Sequence, residues 1–331
     1  MSSPCLTILM PAYNAAAYID EAIESLLNQT FRDFELWIID DGSKDGTRQH
    51  IDSFTDSRIK KFYFDNNRGR VAVVNELISN VSTEFVTVTD ADDVSHPARL
   101  QQQMDLLDQD AEIMMCGTSY WAIDESGIIL RKMILLGDYA KIHSMILERP
   151  QFHGPTTIMR MSAIRELPEF YRLYFKDNRA DADLAARIVE KFKAINIVEP
   201  LYYYRILPDS LSRRKYSVRF AILDKLAKER RSIRVDSLMT NDQNKMLDYE
   251  SKLSSKFSNS PALIHQQAAF YNLYWKVNGL ALQHAWTAFK IKPFRLKSIF
   301  LLLYVLTIGG FNGLSKKLVG ADYKKIDSFV Q

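Results

Sequence analysis

The stretch TVTDADDVS places three aspartates, Asp90, Asp92 and Asp93, within four residues after a β-branched and apolar run. On an extended backbone Asp90 and Asp92 project to the same side, where two carboxylates raise each other's pKa unless they share a cation. Mg²⁺ and Mn²⁺ prefer oxygen ligands, and Mg²⁺ often combines one or two carboxylates with substrate phosphates. The stretch therefore predicts either a metal and diphosphate site or a solvated strand-end turn, with Asp93 capping a helix that begins at Pro97.

Two further acidic clusters allow the same two kinds of interpretation. Asp40 and Asp41 follow the second apolar run. A carboxylate there either belongs to a turn and N-cap before the next helix or accepts hydrogen bonds from a base or sugar edge. Asp181 and Asp183 stand just before a predicted helix over 184–192. One of the two, Asp183 or Asp181, is expected to be the N-cap there, and the functional alternative is a general base beside an incoming hydroxyl.

Strand and helix patterns alternate along the first hundred residues. The predicted strands are Leu6–Met10, Glu35–Ile39, Ile59–Phe64 and Glu84–Thr89. The predicted helices between them are Ala15–Gln29, Gly46–Phe54 and Arg70–Ser79. This alternation indicates right-handed βαβ units and a mostly parallel sheet covered by helices. Ligands bind such sheets at the carboxyl ends of the strands, and the polar clusters follow those ends.

The rest of the chain is more mixed. A hairpin is predicted around the turn Asp124–Gly127, followed by a helix over Asp138–Leu147, an extended segment over Thr156–Arg160, a helix over Asp183–Phe192 and a strand over Ile195–Arg205. From Tyr216 onward the pattern is helical and basic, with 18 Lys and Arg against 8 Asp and Glu. We therefore expect a catalytic domain over 1–215 and a basic helical region over 216–331.

Composition limits the class of protein further. The 331 residues are 47% hydrophobic and 25% charged, as in a globular protein, and the net charge of +3 argues against nucleic acid as a partner. Cys5 and Cys116 are expected to be reduced core thiols. The chain starts with a strand pattern and no signal peptide is expected. The apolar run Ile299–Ile308 is too short to span a bilayer. A cytoplasmic protein is expected, with the cytoplasmic face of the inner membrane as an open alternative.

Taken together and in this order, the motifs resemble those of the inverting family-2 glycosyltransferases. The blocks are LTILMPAYN, LWIIDDGSKDGT, NNRGRVAVVNELI, EFVTVTDADDVSHPARLQQQ, HGPTTIMRMSAI, DADLAARIVEKF and EPLYYYRILPDSLS, which extend from about residue 5 to 213. The resemblance implies an α/β GT-A fold, a Rossmann-like, mostly parallel sheet flanked by helices, with a C-terminal helical extension. It also implies metal-dependent, inverting transfer from a nucleotide-diphosphate sugar, with UDP expected, to a hydroxyl of a glycan or lipid-linked acceptor in cell-surface polysaccharide or glycoconjugate synthesis.

The resemblance also assigns nucleotide-binding residues. Tyr13 matches the residue that packs beside the base, and Pro11 supplies backbone contacts. Asp41 matches the carboxylate that binds uracil. Arg70 and Asn75 lie in the segment that closes over the nucleotide and its phosphates.

The remaining assignments concern the metal and the base. Asp90 is expected near the ribose, Ala91 in the same nucleotide-binding segment, and Asp92 as the direct ligand of Mn²⁺ or Mg²⁺. Asp181 matches the catalytic base. Residues such as Arg99, His153 and Arg179 are expected to shape the sugar pocket, although a histidine beside a strand is typically a hydrogen-bonded structural one.

Two departures from the family pattern keep other interpretations open. Ala180 stands where the family often has Glu beside the base, and Leu207 where many members have a histidine that helps to hold metal or diphosphate. A nucleotidyltransferase shares the sheet and the metal site, but it would bring a Gly-rich loop after the first strand. A degenerate, non-catalytic sugar-nucleotide-binding module draws its support from the two departures alone. For the basic region, contact with an anionic membrane surface and a buried helix with solvated basic ends remain alternatives.

Overall fold

A computed structural model describes residues 4–146, 149–173, 180–207, 251, 255 and 261–318. The chain forms two compact units. The larger unit contains the residues up to Ile123 and the segment Arg131–Arg205. The smaller unit contains Asp124–Leu130 and the chain from Ile206 to Lys325. The domain boundary expected between residues 215 and 216 lies outside the described residues and stays a prediction.

The larger unit is built on a twisted sheet. Its strands are β1 Leu6–Ala12, β2 Phe34–Asp41, β3 Ile59–Phe64, β4 Phe85–Val88, β5 Val94–Ser95, β6 Ile113–Ile123, β8 Ile158–Arg160 and β9 Lys193–Arg205, with β7 Ile129–Met133 following the turn after β6. The strand order is β3-β2-β1-β4-β8-β6-β9-β5. The first four positions are parallel, β8 is antiparallel to both of its neighbours, and β6 and β9 are parallel. The predicted mostly parallel α/β sheet is confirmed.

Helices cover this sheet because each presents an apolar face to it. The helices of the larger unit are α1 Ile19–Leu27, α2 Thr47–Ser53, α3 Arg70–Ile78, α4 Arg99–Gln109, α5 Tyr139–Met145, α6 Met161–Arg165 and α7 Ala180–Lys191. In α1 the buried residues Ile19, Ala22, Ile23 and Leu26 follow the spacing of a single helix face. Their packing on β1 and β2 gives one continuous hydrophobic core.

The helices and strands predicted from the sequence are present. Where their first residues differ from the prediction, the difference has a local cause. Helix α1 begins at Ile19 and not at Ala15, because the Ala15 N–H donates to Thr47 Oγ1 at 2.8 Å and holds a loop there. Helix α7 begins at Ala180, so Asp181 lies inside its first turn and not before it. The two-residue strand β5 was not predicted, since so short a strand has no readable periodicity.

The buried side chain of Gln103 in α4 joins two elements near the site. Its Nε2 donates to the Cys116 carbonyl of β6 at 2.6 Å and to the Thr156 carbonyl at 2.8 Å. Thr156 closes a 3₁₀ turn over Gly154–Thr156. The turn is therefore fixed to the sheet by a side chain that is shielded from water.

We expect Gln103→Leu to lower the free energy of unfolding by about 1–3 kcal/mol for each buried carbonyl left without a donor. Chemical denaturation of the two proteins measures the difference. Gln102→Leu, one residue earlier on α4 and partly exposed, is the matched control and should be near wild type. Equal stability of the two variants would contradict the role of Gln103.

The smaller unit contains three helices, α8 Pro261–Tyr274, α9 Asn278–Ile291 and α10 Leu296–Leu318. Small and aliphatic side chains form their common core: Ala269, Leu273, Ala281, Ala285, Leu301 and Val305. The C-terminal helical extension is thereby confirmed. In the described part of the chain, every helix is too short or too polar to cross a membrane. Lys324 and Lys325 of the basic region lie outside the described residues.

Candidate active site

The loops that follow β1 and β2 meet at one edge of the sheet, because the two strands are parallel neighbours. The Asn14 N–H donates to Ser43 Oγ at 3.0 Å, and Asn14 Oδ1 accepts from the Lys44 N–H at 2.8 Å. These bonds hold the preceding residue, Tyr13, with 47% of its surface exposed. Pro11 is partly buried at the end of β1. An exposed ring in this place is suited to the predicted packing of Tyr13 beside a nucleotide base.

Asp41 joins the end of β2 to the start of α3. Its two carboxylate oxygens accept from the backbone N–H groups of Arg68 and Gly69, each at 2.8 Å. Gly69 has a φ of 88°, which a glycine adopts without steric cost, and the chain then enters α3 at Arg70. The predicted bond between Asp41 and uracil stays a prediction.

Asp90, Asp92 and Asp93 form one group of carboxylates after β4, and one oxygen of each lies within 4.8 Å of the others. Burial, followed by the charge of Asp90, raises the pKa of Asp92 to about 7. Burial also raises the pKa of Asp90, against the lowering effect of Arg70, whose Nη1 lies 3.1 Å from Asp90 Oδ1. The carboxylates are held together at an electrostatic cost that an added cation would relieve. Ala91, between them, is buried.

Arg205, the last residue of β9, supports this turn through both its backbone and its side chain. Its N–H donates to Asp93 Oδ1 at 2.7 Å, its Nε donates to the Asp92 carbonyl at 2.8 Å, and its Nη2 pairs with Glu21. The predicted helix cap at Asp93 is wrong, since α4 begins at Arg99 without a side-chain cap. Asp93 is instead directed towards β9, which the sequence pattern did not reveal.

Arg70 carries donors that the protein itself leaves unused. Its Nε and Nη2 are buried and have no hydrogen-bond partner among the described residues. Burial by itself lowers the pKa of Arg70, but nearby charges, chiefly that of Asp90, raise it above its ordinary value. A guanidinium with two free N–H groups matches a phosphate, which accepts two parallel hydrogen bonds. This geometry supports the predicted place of Arg70 at the nucleotide phosphates.

Asp181 faces the same site from the first turn of α7. Its charge alters the pKa of Arg70 and of Asp90, so the predicted base lies near the carboxylate group. A Cβ built on Gly154 would lie 2.6 Å from Asp181 Cβ and 2.7 Å from Oδ2. Both residues line a cavity of about 10 Å³, which is about the size of one water molecule. The glycine thus provides the space in which the Asp181 carboxylate lies.

His153 packs among tyrosine rings. Its ring stacks on Tyr120 with a centroid distance of 4.2 Å and lies edge-on to Tyr204 at 4.7 Å. Burial lowers its pKa to about 4, although the charge of Asp181 opposes the change. The imidazole is therefore neutral at pH 7. It is held by ring packing, and its Nε2 is buried with no hydrogen-bond partner in the described part of the chain, unlike the hydrogen-bonded histidine that the sequence suggested.

Of the other two residues expected at the sugar pocket, Arg99 is fully buried. Its guanidinium lies 5.4 Å from the centroid of the Tyr202 ring, and its Nη1 donates to the Pro155 carbonyl at 3.4 Å. Its side chain is therefore enclosed by the protein and is not presented at the surface. Arg179 lies outside the described residues.

Asn75 makes two hydrogen bonds to one residue of a distant segment. Its Nδ2 donates to the Tyr171 carbonyl at 2.7 Å, and its Oδ1 accepts from the Tyr171 N–H at 3.0 Å. Tyr171 is buried and lines the Asp181 cavity. The sequence interpretation did not include Tyr171, Gly154 or Arg205 in the site. Gly154 and Arg205 stand within quoted motif blocks, and no pattern in the sequence identifies Tyr171.

The oxygen-rich group after β4 fits a divalent metal. Asp90 pairs with Arg70 and Asp93 accepts from the Arg205 N–H, whereas no ion pair among the described residues engages the carboxylate of Asp92. Carboxylate oxygens are the donors that Mg²⁺ and Mn²⁺ prefer. Asp92 therefore fits the predicted role of direct metal ligand, which stays a prediction.

The βαβ sheet, the loops at its carboxyl edge and the acidic turn facing a carboxylate define a sugar transferase of the GT-A class. Comparisons with known proteins also indicate a glycosyltransferase. Residues 7–168 match the profile "Glycosyl transferase family 2". The chain is 32% identical over 229 residues to a Bacillus subtilis protein named as the glycosyltransferase EpsE, covering 67% of this chain and 81% of that protein.

Two solved structures share the fold. S. aureus TarS 1-349 in complex with UDP-GlcNAc matches with a TM-score of 0.54 at 16% identity, covering 96% of this chain and 93% of that one. The mannosyltransferase PcManGT of Pyrobaculum calidifontis, in complex with GDP-Man and Mn²⁺, matches with a TM-score of 0.50 at 16% identity, covering 96% and 89%. The chain belongs to glycosyltransferase family 2.

We expect Gly154→Ala to displace the Asp181 carboxylate, because the added Cβ would lie 2.7 Å from Oδ2. A displacement of a catalytic group by about 1 Å can lower the rate by about 100-fold. Steady-state kinetics should therefore show a large fall in kcat, while UDP binding measured by calorimetry is retained. Gly46→Ala is the control, since its Cβ would meet only ordinary contacts from 3.6 Å. Full activity of Gly154→Ala would refute this dependence.

Proposed function

We propose that the protein is a metal-dependent, inverting glycosyltransferase that uses a UDP-sugar. The acceptor is a hydroxyl of a glycan or lipid-linked molecule in cell-surface polysaccharide or glycoconjugate synthesis. The observation that carries the proposal is the meeting of Arg70, the Asp90–Asp93 turn and Asp181 in one site. The complexes of TarS with UDP-GlcNAc and of PcManGT with GDP-Man support a nucleotide-sugar donor.

In this proposal the donor lies along the carboxyl edge of the sheet. The base packs on Tyr13 and hydrogen-bonds Asp41, and Pro11 and Ala91 offer backbone contacts. Asp90 binds the ribose, and the free N–H groups of Arg70 bind the diphosphate. The sugar then extends from the diphosphate towards Asp181.

The chemical step is a single displacement. The acceptor hydroxyl oxygen attacks the anomeric carbon from the face opposite the diphosphate, and its proton moves to the Asp181 carboxylate. The new C–O bond forms as the bond to the phosphate oxygen breaks, so UDP leaves with the electron pair and the anomeric configuration inverts. Base and leaving group must lie on opposite sides of the sugar, which suits their positions on α7 and after β4.

Asp92 would hold Mn²⁺ or Mg²⁺, which supplies positive charge where the diphosphate leaves. The chain's own contribution to this charge is Arg70, which is partly buried and protonated beside Asp90. Arg205 holds the backbone of the turn and so orients Asp92. These two arginines explain how a buried acidic turn can accept a further anionic ligand.

The two other classes have weaker support. A nucleotidyltransferase would need a Gly-rich phosphate loop after β1, where this chain has Pro11–Asn14. A non-catalytic binding module would not need a carboxylate at 181, and the space opposite Gly154 is shaped around that carboxylate. The departures at Ala180 and Leu207 therefore leave the proposed base in place.

We expect Asp181→Asn to lower kcat by about 10²–10⁴-fold, as for loss of a general base, while UDP binding with Mn²⁺ persists. Asp92→Asn should instead abolish the metal dependence of UDP binding. UDP release from a panel of UDP-sugars and calorimetry with UDP measure these two effects. Asp105→Asn, an exposed carboxylate on α4, is the control.

Three results would count against the proposal. Unchanged turnover in Asp181→Asn would remove it as the base. Retained metal-dependent binding in Asp92→Asn would remove it as the ligand. Faster release of GDP from GDP-mannose than of UDP from any donor in the panel would overturn the choice of UDP.

We also propose that the C-terminal helices contact an anionic membrane surface on the cytoplasmic side. Phe294 is 95% exposed, and Leu296, Phe300 and Leu303 are each more than half exposed. Four basic residues precede these apolar residues or lie between them: Lys290, Lys292, Arg295 and Lys297. Exposed apolar side chains beside basic ones are typical of a segment that inserts at an anionic lipid interface.

Full-length protein should co-sediment with vesicles containing phosphatidylglycerol more strongly than with pure phosphatidylcholine, and salt should weaken the binding. Phe300→Glu with Leu303→Glu should abolish it. Gln283→Glu, which adds one of these two negative charges at an exposed position of α9, should reduce it only slightly. Equal binding by all variants, or association of the protein with itself in place of vesicles, would refute the membrane proposal.

A further inference from the structure

The segment Glu169–Tyr171 is fastened on two sides. On one side, Asn75 of α3 pairs with both backbone groups of Tyr171, at 2.7 and 3.0 Å. On the other side, Arg187 of α7 donates to the Glu169 carbonyl at 2.8 Å and to the Phe170 carbonyl. Helix α3 begins with Arg70 and α7 carries Asp181, so this segment connects the two helices that bear the proposed phosphate and base residues.

Tyr171 and Asp181 line the same cavity. Tyr171 is 3% exposed. Burial raises the pKa of its hydroxyl, as do the charges of Asp181 and Asp90, while Arg70 lowers it, and the net change is upward. The phenol is protonated at neutral pH, as a tyrosine is at its ordinary pKa as well, and it brings a neutral O–H group to the wall of the cavity that Asp181 also lines.

The hydrogen bonds of Asn75 to Tyr171 fix the orientation of its amide. An asparagine side chain has two N–H donors and one oxygen, and one donor and the oxygen already bind Tyr171. Turning the amide towards a nucleotide would leave a buried backbone N–H and C=O unpaired, which costs free energy at both groups. The amide is therefore part of the framework of the site.

We propose that Asn75 is a positioning residue that holds the Tyr171 hydroxyl beside Arg70 and Asp181, and that it is not a ligand of the nucleotide. The inference rests on the proposed transferase chemistry of this site. It replaces the nucleotide-binding role that the family resemblance implied for Asn75. It also makes Tyr171 a wall of the reaction site, at the place where the base meets the phosphate-binding arginine.

A double-mutant cycle tests the proposal with Asn75→Ala, Tyr171→Phe and the double variant. Tyr171→Phe keeps the ring and the backbone pairing but removes the hydroxyl. In this proposal the hydroxyl hydrogen-bonds a charged group of the reacting complex. Loss of such a bond corresponds to about 10- to 100-fold, so each single variant should lower kcat by this factor. UDP affinity with Mn²⁺ should change by less than about threefold in each, because neither residue touches the nucleotide in this proposal.

The double variant should be no more than about threefold slower than the slower single variant, because Asn75 acts through the hydroxyl that Tyr171→Phe has already removed. Asn80→Ala, an exposed asparagine just after α3, is the matched control and should behave as wild type. If Asn75→Ala does not fold, Asn75→Asp takes its place, since it keeps the acceptor for the Tyr171 N–H and loses the donor.

Two outcomes would overturn the inference. One is a fall in UDP affinity of tenfold or more in Asn75→Ala with kcat unchanged, which is the result for a nucleotide ligand. The other is full additivity of the two changes in kcat. If the wild-type protein releases UDP from a UDP-sugar, either result rejects the inference about Asn75 and leaves the proposed function standing. A wild-type protein without this activity would instead reject the proposed function, and with it the inference.

Discussion

Repulsion among Asp90, Asp92 and Asp93 is the constraint on which this site depends. Burial raises the pKa of each of the three carboxylates, and the charge of Asp90 further raises those of Asp92 and Asp93. Such a group is stabilised where positive groups are supplied from elsewhere. Arg70 reaches them from the first turn of α3, 3.1 Å from Asp90, and Arg205 holds the turn from the end of β9. The turn therefore contains most of the acidic groups, while the cationic groups come from elements distant in the chain.

The arrangement of Arg70 depends in turn on the parallel order of β2 and β1. Asp41 at the end of β2 accepts hydrogen bonds from the loop that enters α3, so the strand end is joined to the segment that leads to Arg70, the proposed phosphate-binding residue. On the opposite side, Asp181 occupies space left by Gly154, in a turn that Gln103 fastens to β6. The donor site and the base thus belong to two halves of the unit, which the segment Glu169–Tyr171 connects.

Most of the sheet could be predicted from the sequence, because the apolar runs of β1 to β4 and the helices between them have clear periods. The polar clusters at the carboxyl ends of these strands indicated where a ligand would bind, and the family resemblance then assigned Tyr13, Asp41 and the Asp90–Asp93 turn within them. The helix cap at Asp93 was predicted wrongly. An inward-facing aspartate and a capping aspartate have the same local sequence, and only the partner at Arg205 distinguishes them.

The sequence by itself determined the fold class, the acidic turn, Asp181 as a candidate base and the basic character of the C-terminal region. Each of these features can be read from residues that lie close together in the chain. The tertiary structure alone decided what those residues touch. Tyr171 meets Asn75 across 96 positions and Arg205 meets Asp93 across 112. Such contacts leave no local pattern, since the free energy of pairing depends on how strands and helices pack and not on their order in the chain.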